Sequence, residues 1–146
     1  MKIMLDKGAK MPTRAHTWDA GLDLYTPMDV MIPACAAYAS YCVCVGSETI
    51  DTGVHIAIPE GYVGFIKSKS GLNVNHGLTA EGVIDAHYTG SIRVKIYNHT
   101  AHPYFFHAAD KIAQLVILPV AITDLEQVDS LEETDRGDNG FGSTGR

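Results

Sequence analysis

Long apolar runs are missing from this chain, and so is an excess of positive charge. No stretch approaches the ~20 consecutive apolar residues of a membrane span. Eleven lysines and arginines stand against seventeen aspartates and glutamates, for a net charge of −6. An acidic balance argues against sequence-independent binding to a polynucleotide backbone, which requires a basic face. It leaves room for a small anionic substrate, which needs only a local positive pocket. At the start of the chain Lys2, Asp6, Lys7 and Lys10 interrupt any apolar core, so no secretory leader is expected. Cysteine is scarce: Cys35, Cys42 and Cys44 are the only three, an odd number that argues against a disulfide framework. Cys42 and Cys44 fall in an apolar stretch whose alternation puts both sulfurs on one strand face. No second Cys or His pair has zinc-site spacing, so a buried strand is expected there rather than a metal. Sustained helical periodicity is also missing.

What is present is period-two alternation. Val54, Ile56 and Ile58 alternate with His55 and Ala57, and Pro59-Glu60-Gly61 then turns the chain. Tyr62 to Lys67 resumes as a strand. Ile92, Val94 and Ile96 alternate with Arg93, Lys95 and Tyr97, which predicts one buried and one polar face. Lys111 to Leu118 reads as a further strand ending at Pro119. All six prolines fall between strand candidates, and Ser70 to Asn75 reads as one short helical turn. A chain of 146 residues suits a single core, and this pattern predicts an all-β sandwich, jelly roll or small barrel. The expected division is a β domain over 1–130 and a flexible C-terminal arm over 131–146, where the apolar pattern has thinned.

The arm carries the densest chemistry, in Arg136-Gly-Asp-Asn-Gly-Phe-Gly-Ser-Thr-Gly-Arg146. Its glycines, Gly142 among them, let backbone N–H groups approach an anion closely. Ser143 and Thr144 add hydroxyl donors, and Arg136 adds a planar fork suited to phosphate. Phe141 is the one apolar residue, a candidate lid over a flat base. Four other segments stand out. Ala20-Gly21-Leu22-Asp23-Leu24 sets a lone carboxylate between apolar neighbours. Lys67-Ser68-Lys69-Ser70-Gly71-Leu72 combines cations, hydroxyls and a glycine, as an anion site or a solvated turn would. Gly82-Val83-Ile84-Asp85-Ala86-His87-Tyr88-Thr89-Gly90 ends an apolar strand on Asp85, placed to serve as a general base or simply to form a turn. Asp110-Lys111-Ile112-Ala113-Gln114-Leu115 buries a polar Gln114 in an apolar run.

In order and content these five segments resemble the motifs of the trimeric dUTPase family, and they span nearly the whole chain. The resemblance implies hydrolysis of dUTP to dUMP and diphosphate with Mg²⁺, which keeps uracil out of DNA and supplies dUMP for thymidylate synthesis. It also implies a distorted jelly-roll or β-barrel subunit, a homotrimer with sites at subunit boundaries, and a cytoplasmic setting in a bacterial or phage-infected cell. For a phage-derived chain it extends to a regulatory protein partner. Carried over by residue, Asp85 resembles the base that activates water, and Tyr88 the ring that packs on deoxyribose against a 2′-OH. Gly82, Val83, Ile84 and Thr79 would surround uracil, read largely by backbone groups that reject the cytosine edge while sterics exclude a thymine methyl. Lys69, Ser70, Gly71 and Gln114 would hold phosphates. Asp23 would hold Mg²⁺ through water, with the triphosphate as its main ligand. Phe141 would cap the base, while Arg136, Gly142, Ser143 and Thr144 clamp the terminal phosphate.

The pattern departs at Lys69, where arginine is usual, at Glu81, where a small residue is usual, and at Ala109, where glycine is usual. A deaminase of related fold acting on dCTP is the nearest alternative, disfavoured by the Asp85/Tyr88 hairpin and the Phe141 tail. A binding protein that keeps the fold without catalysis is disfavoured by Asp85 itself.

Overall fold

The structure is a computed structural model that describes residues 1–38, 42–44, 46–135 and 137, with 36–38 and 42–44 described by backbone alone. Its strands are β1 (Lys2–Leu5), β2 (Gly21–Tyr25), β3 (Val30–Ile32), β4 (Ala36–Tyr38), β5 (Cys42–Cys44), β6 (Gly46–Asp51), β7 (Val54–Ala57), β8 (Tyr62–Lys67), β9 (Leu78–Ile84), β10 (Arg93–Asn98), β11 (Tyr104–Phe106) and β12 (Lys111–Pro119). One helix, α1 (Ser70–His76), joins β8 to β9. It runs one residue beyond the predicted Ser70 to Asn75 turn, and none of its residues is buried. With no apolar stripe to bury, it gives the hydropathy pattern nothing to detect.

Six strands form one antiparallel sheet in the order β2-β12-β8-β9-β10-β6. Two-stranded sheets β1-β7, β11-β3 and β4-β5 complete a jelly-roll-like, all-β body. Alternation along β10 is realised as expected: Ile92, Val94 and Ile96 are buried, whereas Arg93 and Lys95 face outward. Leu24, Ile32, Ile50, Val54, Ile66, Leu78, Ile112 and Leu115 meet them in a single core. Burying each such side chain stabilises the fold by about 1.5–3 kcal/mol. β2 escapes the sequence reading because it is short and carries a charged residue at its centre.

Asp23, Thr26, Thr52 and Asn98 are the buried polar residues among those described. Asn98 is fully buried at the end of β10. Its amide nitrogen donates to the carbonyls of Pro33 (3.0 Å) and His102 (2.8 Å). Its carbonyl accepts from the backbone N–H and the hydroxyl of Thr100, both at 2.9 Å. The side chain thus has all four of its hydrogen-bonding positions filled, and it fixes the turn into β11.

After Pro119 the chain leaves the sheet. The Val120 N–H donates to the Gly61 carbonyl (2.9 Å), and residues 121–135 follow without strand, all of them exposed. Among the described residues no helix is long and apolar enough to cross a membrane.

Candidate active site

β9 ends at Ile84, and the chain turns through Asp85, Ala86, His87, Tyr88 and Thr89 before β10. The Tyr88 N–H donates to the Asp85 carbonyl (3.3 Å), and the Tyr88 hydroxyl donates to the Ser91 carbonyl (3.0 Å). The second bond folds the ring back over Gly90. A Cβ at Gly90 would lie 2.6 Å from Tyr88 Cζ, so the glycine in Tyr-x-Gly is the space the ring requires. His87 adopts φ 67°, an uncommon left-handed conformation for a residue with a side chain. Val83, Ile84, Asp85 and Tyr88 line one depression of about 230 Å³ together with Arg93. Asp85 is exposed at its edge. The Arg93 Nε lies 3.4 Å from Asp51 Oδ2. Asp51 in turn accepts from the Ser91 hydroxyl and the Gly53 N–H, and these bonds hold its carboxyl below the usual range.

A second cluster forms where β2 meets β12. Asp23 and Gln114 are directly paired across these strands, and Gln114 pairs with Lys67 on its other side. Asp23 is 5% exposed. One of its carboxylate oxygens is ion-paired with Lys69 and the other with Lys111, whose Nζ stands 2.6 Å away. Burial pushes the Asp23 proton affinity up, but the hydrogen bonds from Lys111 and Lys69 outweigh it and leave the group below its ordinary value. Gln114 donates to the Ser68 carbonyl (3.0 Å), and its amide oxygen lies over Gly21 where a Cβ would stand. Any side chain at Gly21 would displace that amide. Gly21, Asp23, Lys69, Lys111 and Gln114 line a cavity of about 360 Å³. Lys69 occupies the position before α1 without a side-chain capping bond, and Ser70 and Gly71 open the helix. The space beside Gly71 is empty of neighbours within the subunit.

Thr79 belongs to a third depression, with Lys67, Ser68, Ala80, Glu81 and Tyr97. Its hydroxyl is 2.8 Å from His99 Nε2. Among the described residues, the predicted site residues of one chain therefore fall in three separate depressions. Glu81 sits opposite Lys67, and Asp85 lies four residues further along, roughly 13 Å at about 3.3 Å per residue. The Asp85 turn and the Lys69-Ser70-Gly71 segment run away from this ladder in opposite directions. Gly82 faces Ile66 between them. Arg136, Phe141, Gly142, Ser143 and Thr144 lie outside the described residues.

Three contributors went unseen in the sequence. Lys111 shares Asp23 with Lys69, and its position beside Asp110 in a motif was the available signal. Arg93 and Asp51 are brought to the turn only by the pairing of β10 with β6. A metal cage is not among the described residues: no group of three His, Cys, Asp or Glu side chains converges there.

The described residues thus form an all-β body with an exposed carboxylate turn on one side and a buried, lysine-flanked carboxylate on the other. Comparison with known proteins makes this specific. The dUTPase family model matches residues 7–145. Deoxyuridine 5'-triphosphate nucleotidohydrolase of Corynebacterium efficiens is 43% identical, with 99% of this chain and 76% of that protein covered. The enzyme of the same name from Debaryomyces hansenii is 36% identical over 99% of this chain and 86% of its own length. Among solved structures, the dUTPase of Staphylococcus bacteriophage 80alpha with dUpNHpp superposes with a TM-score of 0.86 at 30% identity, covering 99% and 98% of the two chains. A variant dUTPase of phage phi11 of S. aureus, described with a structural Mg(II) ion, gives 0.76 at 29% identity, covering 90% and 98%. The chain belongs to the dUTPase family. Its activity class is that of a hydrolase, a dUTP diphosphatase.

Proposed function

We propose that Asp85 is the general base of dUTP hydrolysis and that Tyr88 selects the sugar. The observation that carries this reading is their common depression at the open end of β9, with the edge of Val83 and Ile84 beside them. Asp85 accepts the proton of the attacking water as the anhydride between the α and β phosphates breaks, giving dUMP and diphosphate. The backbone edge around Gly82 to Ile84 reads uracil, and the Tyr88 ring packs on deoxyribose where a 2′-OH would clash. Lys69, Ser70, Gly71 and Gln114 receive the phosphates, and Thr79 stands beside the base-reading edge. Lys111 keeps Asp23 ionised and frees part of the charge of Lys69 for substrate.

The separation of these groups supports a homotrimer in which each site is shared. Beside Asp85 lies an apolar cavity of about 780 Å³ lined by Tyr62, Val63, Phe65, Val83, Val120 and Ile122. Tyr62, Val83 and Ile122 are exposed in the single chain, as a surface meant for another copy would be. A neighbour seated there stands next to Asp85 and brings its own Lys69 segment. The division into a 1–130 domain and a 131–146 arm belongs to the same reading. So does closure of Phe141 over the base, with Arg136, Gly142, Ser143 and Thr144 on the phosphates.

The residues present fit Mg²⁺ carried by the triphosphate. Asp23 is a hard-oxygen, ionised donor, and Mg²⁺ that keeps its waters and phosphate ligands needs no protein cage. Asp23 would hold it through water, and the ion when bound supplies neutralisation of phosphate charge. The acidic, spanless chain is further read as a cytoplasmic protein acting on a free nucleotide. It would thereby keep uracil out of DNA and supply dUMP for thymidylate synthesis.

The test measures diphosphate release from dUTP, dCTP, dTTP and UTP by the wild type and by Asp85→Asn. Release from dUTP alone, reduced by about 10²–10⁴-fold in the variant, is the expected result. Near wild-type turnover by Asp85→Asn would remove Asp85 from the role, and equal use of dCTP would remove the uracil reading.

A further inference from the structure

His55 belongs to none of the five motifs, yet its ring joins the catalytic turn to a different sheet. Its Nδ1 lies 2.8 Å from the carbonyl oxygen of Thr89, the residue after Tyr88. Its Nε2 lies 3.3 Å from Asp6 Oδ2, just beyond β1. Both partners only accept hydrogen bonds. Thr89 therefore requires a proton on Nδ1, and Asp6 requires one on Nε2. Only the imidazolium supplies both. A neutral ring protonated at Nδ1 keeps Thr89 but turns a lone pair toward Asp6, and the other tautomer turns a lone pair toward Thr89. The ring is only 17% exposed, packed between the two strands' ends and the turn.

The rest of the turn has few holds on the body of the protein. Its C-terminal limb is docked by the Ile92 N–H on the Val54 carbonyl (2.8 Å) and by the Ser91 hydroxyl on Asp51. The bonds made by Tyr88 stay within the turn and its exit. On the N-terminal side of Tyr88, His87 Nε2 lies 3.1 Å from Glu60 Oε1 on the exposed turn before β8, so His55 is the hold on the C-terminal neighbour, Thr89.

We propose that His55 is a positioning residue for catalysis: as an imidazolium it clamps the Thr89 carbonyl against Asp6 and fixes the turn that presents Asp85 and Tyr88, so turnover depends on its proton. This rests on the reading of Asp85 as the base. The titratable and charged groups that face the ring are Lys2 and Asp6 from the β1 side and Asp51 at the end of β6. The bonds to Thr89 and then to Asp6 raise the proton affinity of His55 above its ordinary 6.5, against a smaller opposing effect of burial. A raised value means the clamp is complete below pH 6.5 and is lost as pH rises through the folded value. The activity profile then has an alkaline limb that belongs to His55.

The test pairs kinetics with a spectroscopic readout in the full-length protein. The Thr89 carbonyl and the Gly90 N–H are one peptide group, so the Gly90 amide ¹⁵N shift reports the clamp. In the wild type it titrates with a midpoint above 6.5, and in His55→Gln that titration is absent. His55→Leu lowers kcat roughly two- to tenfold at pH 6.5, the factor one positioning hydrogen bond is worth, with KM for dUTP nearly unchanged. His55→Gln, whose amide still donates to Thr89, recovers most of kcat and loses the alkaline limb. A His55→Leu profile that superimposes on the wild type overturns the proposal, as does a Gly90 shift insensitive to pH. Turnover by Asp85→Asn would instead overturn the reading of the base, and neither His55 measurement depends on that variant.

Discussion

Gly90 lies beneath the folded-back ring of Tyr88: a Cβ built on it would stand 2.5 Å from the Tyr88 hydroxyl oxygen. The Tyr88 hydroxyl at the same time donates to the Ser91 carbonyl (3.0 Å). The ring's orientation is therefore set by an absent side chain and one backbone acceptor. Gly90→Ala should drive the ring outward while leaving Asp85 in place. We expect kcat/KM for dUTP to fall and the dUTP/UTP preference to narrow, with Tm changed little. An unchanged ratio of kcat/KM for the two nucleotides would show that ring position does not select the sugar.

The Asp23 carboxylate, shared by Lys69 and Lys111, should make acid stability depend on one residue. Its proton affinity is held below the ordinary 3.8 despite burial. For a depressed group the stabilisation is present above the unfolded value and lost as pH falls through the folded one. The wild type should therefore melt above Asp23→Asn at pH 7, and the gap should close below about pH 4. Thermal melts from pH 7 to pH 2.5 decide it, and a gap independent of pH would mean the paired charges contribute nothing.

Ala109 occupies φ 70°, where a Cβ meets the following backbone. Its N–H donates to the Thr26 carbonyl (2.8 Å), so the conformation is locked by the strand pairing that follows it. Ala109→Gly relieves the strain and loses some stability through the freer unfolded chain. The net gain should be about 0.5–1 kcal/mol. Denaturant melts should show a higher midpoint at unchanged slope, and a lower midpoint would contradict the strain.

Deleting residues 136–146 should lower kcat on dUTP severely while leaving the assembly and Tm nearly intact. Among the described residues the last strand ends at Pro119, and the core cluster includes no residue beyond it. Phe141→Ala should fall between, since Arg136 and the hydroxyls of Ser143 and Thr144 remain. A truncated trimer with undiminished kcat/KM would show that the arm has no part in the reaction. Light scattering of the intact chain belongs to the same experiment, because a fully active monomer would exclude shared sites.

The sequence by itself determined the strand-rich body, because period-two alternation is a local property that burial simply obeys. β8 runs over the very residues alternation predicts, and the buried face of β10 is the expected one. It also determined the chemistry of the motifs, since a carboxylate closing an apolar strand is visible in one dimension. Pairing between distant segments was not visible. Asp23 meets Lys69 and Lys111 only because β12 lies between β2 and β8. His55 reaches Thr89 across 34 positions of chain. The wide spacing of Asp85 from Lys69, which no count of residues discloses, follows from the antiparallel ladder of β8 and β9. Local propensity acts between neighbours in the chain, whereas hydrogen bonds and ion pairs act between neighbours in space, and only the folded sheet order decides which residues those are.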